Sequence, residues 1–397
     1  MFPLAREHAT FEAHHRTLSR QMSAAELKLR ELYEQNQGQS RGRSEASRAT
    51  HSEGQLQTPA QFKGRPRLLL MGQQRSGKSS IASVVFHRLA PQETLFLEST
   101  TRIQNDQMTS FMDFQVWDFP GQIDFLDDPS LDKEAIFGEL GALIWVIDAQ
   151  DDYLEAVDRL NATILALQES YPHIKIEVFI HKVDGLSDDY RLDIQRDITI
   201  RVQDELSDQG CENAPLTFHM TSIYNHTIFE AFSRVIQKLI PRLGTLETML
   251  NNLCRTCHFE KAYLFDVSSK IYIATDSMPG DTPSYEICSD YIDVIMDITE
   301  IFGSWSRPQE NLKRLEGAAW ADGAAPNVAD QVAYDGAESC LVLNDVNRPL
   351  MLREVDAHLA LVAIMKEESY AKMPLVTMNV ETVAKGLAQF FEITKKK

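Results

Sequence analysis

The sequence predicts an α/β domain with a mostly parallel sheet, followed by a smaller α+β domain with an antiparallel sheet. Three observations carry this. Between Arg67 and Leu243, short apolar runs alternate with amphipathic ones, the pattern of a parallel sheet with helices on both faces. Within that stretch, Gly72-Gln73-Gln74-Arg75-Ser76-Gly77-Lys78-Ser79 follows an apolar run and precedes a helix-like run. That is the strand–loop–helix context of a loop that wraps phosphates. After Pro241 the alternation gives way to paired short strands flanked by helices.

The elements follow in order. Residues 1–65 read as a basic, disordered tail, with one helix expected at Met22–Gln37 around Leu27, Leu29, Leu32 and Tyr33. Residues 66–242 form the first domain. Its expected strands are Leu68–Met71, Phe111–Phe119, Ala142–Asp148, Lys175–His181 and Leu216–Thr221. Its expected helices are Lys78–Leu89, Asp152–Ser170, Tyr190–Asp208 and Asn225–Leu239. Residues 243–397 form the second domain. Helices are expected at Leu246–His258, Tyr285–Phe302 and Val376–Phe391. Strands are expected at Lys261–Val267, Lys270–Asp276, Ser339–Leu343, Pro349–Asp356 and Leu359–Lys366. The order α-β-β-α-β-β-β-α makes an antiparallel sheet with helices packed on it. Residues 303–336, rich in Gly, Ala, Asn, Asp and Pro, read as a long loop.

Composition narrows the function classes. The formal charge of −19 argues against general nucleic-acid binding. Residues 1–67 hold eleven Lys and Arg against seven acidic residues. A solvated tail is the plain reading, with contact to RNA or anionic lipid as the other. No apolar run approaches the ~18 residues of a membrane span, and neither a secretion signal nor a lipidation motif is present. Direct membrane insertion is therefore not expected. Five cysteines without a secretion signal suggest reduced thiols. Cys254-Arg255-Thr256-Cys257-His258 fits a haem-attachment spacing, yet Leu246, Met249, Leu250, Leu253, Cys254 and Cys257 also share one helical face. A core-facing helix is the expected outcome, with haem or zinc as the alternative.

The chemistry lies at strand ends, where ligands bind in such sheets. In the phosphate loop, Gly72, Arg75, Ser76, Gly77, Lys78, Ser79 and Ser80 are the candidate phosphate contacts. Backbone N–H groups and the helix N-terminus supply partial positive charge, and Lys78 reaches the β- and γ-phosphates. Ser79 is the first candidate ligand for Mg²⁺. Asp118-Phe119-Pro120-Gly121-Gln122 ends the second expected strand. There Asp118 would hold Mg²⁺ through water, Gly121 would approach the γ-phosphate, and Gln122 would orient the attacking water. His181-Lys182-Val183-Asp184 ends the fourth. The Asp184 carboxylate matches the two donors on the guanine edge, which adenine does not offer. His181 stands where an Asn is usual. Thr221-Ser222-Ile223 ends the fifth, with backbone N–H groups for the guanine carbonyl. In Glu98-Ser99-Thr100-Thr101, Thr100 is the candidate switch threonine on Mg²⁺ and Thr101 its rival. Gln74 and Arg75 occupy loop positions where they would either crowd the catalytic water or point to solvent. The expected nucleotide is therefore GTP or GDP with Mg²⁺, hydrolysed slowly without an activating protein.

These residues resemble those of the Rag GTPases. The resemblance rests on Gly72 to Ser80, Trp117 to Gln122, Val146 to Tyr153, His181 to Asp189, Thr221 to Tyr224 and Phe265 to Asp276. The His at 181 is shared with that family, and Ser79 with Phe119-Pro120 resembles its C/D type. The resemblance is close over residues 66–302 and looser over 337–391; it does not extend to residues 1–65 or 303–336.

The resemblance implies a P-loop GTPase domain followed by a roadblock-like dimerisation domain. It implies pairing with an A/B-type Rag subunit through the C-terminal domain. It implies a lysosomal or vacuolar scaffold complex, and relay of amino-acid sufficiency to the target-of-rapamycin kinase complex. In that family the C/D-type subunit signals when GDP-bound, and a folliculin-type complex is its activating protein. The expected location is cytoplasmic and peripheral at the lysosome or vacuole through partners, with the nucleus as a second site. A constitutive structural subunit with bound nucleotide and little turnover is the alternative.

Overall fold

The computed structural model describes residues 67–98, 100, 104–108, 114–118, 133–138, 140–211, 214–240, 242–279, 282–302, 338–343, 348–356 and 358–395. The expected tail, its helix Met22–Gln37 and the expected loop 303–336 lie outside them.

Six strands form the first sheet: β1 (Arg67–Gly72), β2 (Gln104–Met108), β3 (Phe114–Asp118), β4 (Leu140–Asp148), β5 (Lys175–His181) and β6 (Leu216–Thr221). Their order is β2-β3-β1-β4-β5-β6. The five strands from β3 to β6 pair in parallel, and β2 joins β3 antiparallel at the edge. The helices are α1 (Lys78–His87), α2 (Lys133–Phe137), α3 (Leu154–Ser170), α4 (Asp188–Asp208) and α5 (Thr227–Gln237). The central strands β1, β4 and β5 are apolar along most of their length because both faces are covered. One face packs against α3 and α4 through Leu160, Ile164, Ile198 and Val202. The other packs against α1 and α5 through Ile81, Val85, Ile228 and Phe232.

Register places the chemistry. Leu70 lies beside Asp118, Gly72 beside Val146, Asp148 beside His181, and His181 beside Thr221. Because the strands are parallel, all their carboxyl ends reach one rim. The phosphate loop, the His181–Asp184 box and the Thr221–Ile223 turn therefore meet there.

The second sheet has the order β8-β7-β11-β10-β9, with every neighbouring pair antiparallel. Its strands are β7 (Phe259–Asp266), β8 (Ile271–Thr275), β9 (Glu338–Leu343), β10 (Arg348–Asp356) and β11 (Leu359–Met365). On one face pack α6 (Leu243–Cys257) and the long helix α9 (Met373–Lys395), which follows the one-turn helix α8 (Glu367–Tyr370). On the other packs α7 (Thr282–Phe302), through Tyr285, Cys288 and Ile292. Cys254 and Cys257 are buried in the apolar cluster with Leu250 and Leu253. Burial pushes the Cys257 thiol up to about 12 and the Cys254 thiol up as well, so both stay protonated. The core-facing reading holds, and His258 merely caps the helix in a left-handed turn.

The two sheets share a core. A single apolar cluster runs from Leu68 and Phe232 to Leu246, Leu264 and Val380. Helix α5 lies along β8, and the Ser233 Oγ accepts the Tyr272 backbone N–H at 3.0 Å. Thus the β8 edge of the second sheet is covered by the first domain. At the end of α1, the Arg88 guanidinium donates to the carbonyls of Val267 (2.6 Å) and Ser268 (2.9 Å).

Among the described residues five elements were not anticipated: β2, the two-turn 3₁₀ helix at Pro91–Phe96, α2, the 3₁₀ turn at Val183–Gly185 and α8. Strand β2 reads Gln-Asn-Asp-Gln-Met, which has no apolar alternation. An edge strand held by ladder hydrogen bonds needs none. The expected strand Phe111–Phe119 is described only at Phe114–Asp118. Most other elements match within three residues at each end.

Phe232 is fully buried and meets Phe86 and Phe179 edge-on, at 5.2 and 5.4 Å. Phe232→Ala is expected to destabilise the protein by about 3–5 kcal/mol, read as a shift of the denaturant midpoint. Because the cluster is continuous, probes in both sheets should shift together.

Candidate active site

The motifs converge on a cavity of about 420 Å³ at the strand ends of the first sheet. Gly77, Lys78, Ser79 and Ser80 line it from the phosphate loop, Thr100 from beyond the 3₁₀ turn, His181, Lys182 and Asp184 from the end of β5, and Ile223 from the end of β6.

The phosphate loop is braced from beneath. Gly77 adopts φ 103°, a left-handed conformation that lets α1 begin at Lys78. A Cβ there would lie 2.7 Å from His181 Cδ2, so the His181 ring fills the space that only glycine leaves. Lys78 is buried, and its ammonium donates to the carbonyls of Gly72 (2.9 Å) and Gln73 (2.8 Å). Ser76 is buried too. Its hydroxyl has no partner among the described residues. Gln74 and Arg75 are exposed at the mouth of the cavity. The Arg75 backbone is left-handed (φ 67°), and its carbonyl accepts from Lys182 Nζ at 2.8 Å.

His181 is 1% exposed. Its Nδ1 lies 3.0 Å from Thr221 Oγ1. Burial, aided by the Lys182 ammonium, pushes the imidazole down to about 4. The ring is thus a neutral strut between β5, β6 and the loop. It lines the cavity, as the sequence leads one to expect, but one ring nitrogen is taken up by Thr221. Asp184 is exposed toward the cavity, and its Oδ1 accepts from the Ser222 hydroxyl at 2.5 Å.

Ser222 corrects the sequence reading. Its backbone N–H donates to Thr227 Oγ1 at 2.9 Å, which satisfies it inside the turn that opens α5. It is therefore not a free donor for a base carbonyl; its hydroxyl instead holds Asp184. Ile223, one residue on, does line the cavity.

The Ser79 and Thr100 hydroxyls lie 2.7 Å apart. Two hard oxygens at a helix N-terminus fit a small hard cation that keeps other positions for water and phosphate. Thr101, the rival position, lies outside the described residues, as do Gly121 and Gln122. Asp118 ends β3 beside Leu70 of β1, next to the phosphate loop.

Several lining residues were missed in the sequence. Thr94, Leu95, Leu97 and Glu98 come from the 3₁₀ turn and its exit, and Tyr224 from the turn after β6. Gln150 comes from the turn after β4. Its neighbour Asp148 binds the Lys182 ammonium at 2.5 Å. For Gln150 and Tyr224 the available signal was a place just beyond the carboxyl end of a parallel strand; the four residues around the 3₁₀ turn carried no such signal.

Comparison with known proteins agrees with this geometry. Residues 67–292 match the family described as the Gtr1/RagA G protein conserved region. The chain is 51% identical over 325 residues to GTP-binding protein gtr2 of Schizosaccharomyces pombe, covering 82% of this chain and 98% of that protein. It is 50% identical over 331 residues to Ras-related GTP-binding protein C of Homo sapiens, covering 83% and 77%. Similarity to GTP-binding protein gtr1 of Schizosaccharomyces pombe is lower, 27% over 221 residues, covering 54% and 69%.

The buried His181 predicts a pH dependence. Its imidazole titrates near 6.5 when unfolded and near 4 in the fold. The unfolded chain therefore binds the proton first as pH falls. Stability from this group is complete above about pH 6.5 and is lost progressively toward pH 4, by on the order of 2–3 kcal/mol. His181→Asn should flatten that segment of the stability-against-pH curve, measured by denaturant unfolding; an unchanged curve would count against the buried neutral ring.

Proposed function

The chain belongs to the Gtr/Rag family of G proteins and is a GTPase of its C/D type, and on that premise we propose that it is the guanine-nucleotide switch subunit of a heterodimer. One observation carries the reading. The phosphate loop, the His181–Asp184 box and Thr100 line a single cavity at the sheet rim. The loop N–H groups and Lys78 bind the phosphates. Asp184, aimed by the Ser222 hydroxyl, accepts from the guanine edge. Left unpaired, a site built for those donors disfavours a base that lacks them.

Ser79 and Thr100 would hold Mg²⁺ through the paired hydroxyls, with Asp118 acting through water. When bound, the ion would supply positive charge that offsets the charge of the phosphates. Thr100 belongs to a segment whose position follows the γ-phosphate, and that is the switch. Gln122 would orient the attacking water. Intrinsic turnover is taken to be slow and to rely on an activating protein of the folliculin type; Gln74 and Arg75 stand exposed at the mouth of the cavity, where such a protein would meet them.

The heterodimer reading rests on the second sheet. Its β8 edge is covered by α5. At its other edge, β9 exposes Leu341, and α7 exposes Val294 and Ile298. An edge strand with apolar neighbours is a template for a partner's strand. We take the partner to be an A/B-type Rag subunit, joined through this domain. Among the described residues no helix is long and apolar enough to cross a membrane. Placement at the lysosome or vacuole would then come through a scaffold complex, with relay of amino-acid sufficiency to the target-of-rapamycin kinase complex.

Purification with associated chains tests the assembly. A second Rag-like GTPase, lost when exposed Leu341 of the β9 edge is changed to Lys in the full chain, is the expected result; a monomer of full nucleotide occupancy would contradict it. Ser79→Asn is expected to weaken GTP binding at least about tenfold in Mg²⁺, while GDP binding changes less. Equal affinities for GTP in variant and parent, measured by fluorescent-nucleotide titration, would remove Ser79 from the metal site.

A further inference from the structure

We infer that Gln150, together with Asp148, is a positioning residue for base recognition: the β4–α3 turn clamps the Lys182–Gly185 turn so that Asp184 meets the guanine edge. This rests on the reading of Asp184 as the base-reading group.

The turn that carries Asp184 is unusual. Lys182 sits at φ 63°, ψ 35°, a left-handed conformation that side-chain-bearing residues seldom adopt. Something must hold it, and the contacts come from the β4–α3 turn. The Ala149 N–H donates to the His181 carbonyl at 2.9 Å. The Gln150 Nε2 donates to the Lys182 carbonyl at 2.6 Å. Asp148 Oδ2 accepts from Lys182 Nζ at 2.5 Å, and its Oδ1 accepts from the Gln150 N–H at 2.9 Å. Each carboxylate oxygen thus fixes one side of the clamp.

Gly185 shows how closely the clamp grips. A Cβ there would lie 2.5 Å from Gln150 Nε2. The carboxamide therefore lies against the residue that follows Asp184, while its nitrogen binds the carbonyl of the residue two before it. Asp184 is held between these points and, from the other side, by the Ser222 hydroxyl. Gln150 itself lines the nucleotide cavity. Lys182 Nζ continues the clamp to the Arg75 carbonyl in the phosphate loop. The phosphate-binding and base-reading parts of the site are therefore joined through one lysine, and Gln150 sets its backbone.

The test reads base selectivity, which a merely structural glutamine would leave alone. Equilibrium affinities for GDP and IDP are measured on the full chain; IDP lacks the exocyclic amine that Asp184 would engage. Gln150→Glu keeps the size and removes the donor, Gln150→Ala removes the group, and Gly185→Ala forces the carboxamide aside. Each is expected to lower the GDP-over-IDP preference by about threefold to tenfold, the range of one hydrogen bond. Equal loss of both affinities with the preference intact, or no change in either, overturns the inference. Asp184→Asn, scored for GDP against XDP, separates the two failures. If it shifts preference toward XDP while the Gln150 and Gly185 variants leave selectivity unchanged, only the clamp falls. If it shifts nothing, the base-reading role falls, and the clamp with it.

Discussion

The His181 ring is wedged between Gly77 and Thr221, and the nucleotide site is built around that wedge. The contact joins three parallel strands' ends at one point: β5 through the histidine itself, β6 through the threonine hydroxyl, and β1 through the phosphate loop that follows it. It requires a glycine at 77, because any Cβ would collide with the ring. It requires a neutral imidazole, because burial leaves no water to solvate a charge. An asparagine at 181 would be smaller and would reach Gly77 differently. The substitution that distinguishes this box from the usual Asn form is therefore a packing choice as much as a hydrogen-bonding one.

From that wedge the coupling extends outward by short steps. Lys182 carries it to Asp148 and the Arg75 carbonyl, and Ser222 carries it to Asp184. Thr227, which satisfies the Ser222 N–H, opens α5. Helix α5 then lies on β8 of the second sheet, where Ser233 accepts the Tyr272 N–H. The base-reading turn and the second domain are thus two ends of one helix. Among the described residues, covering β8 leaves β9 as the edge that the proposed partner would meet. A switch that acts on a heterodimer needs such a division, with nucleotide at one rim and partner at the far edge.

Much of this was legible in the sequence, and the limits have physical reasons. The strands β1, β4 and β5 are mostly apolar and buried on both faces, so they stand out; β6, at the edge, shows as alternation of apolar with polar residues. Gly77, Lys78, Ser79 and Asp184 were legible because phosphate and guanine chemistry restricts residue type at fixed spacing. Strand β2 was not, since an edge strand of Gln, Asn and Asp has no buried face to mark it. Ser222 was placed correctly in the turn but given the wrong acceptor; only the Thr227 hydroxyl oxygen, five residues on, decides where its N–H goes. Gln150 escaped because its role is a contact with a backbone carbonyl 32 residues away, which no local pattern records.

The heterodimer switch stands or falls on whether the nucleotide changes what the second domain's partner experiences. The direct measurement is the equilibrium affinity of the full chain for its copurified partner, with this chain loaded alternately with GDP and a non-hydrolysable GTP analogue. A difference of at least about tenfold, roughly 1.4 kcal/mol of coupling, is the predicted result. Equal affinities in the two states, with both nucleotides bound, would contradict it and leave a structural subunit that carries its nucleotide without using it.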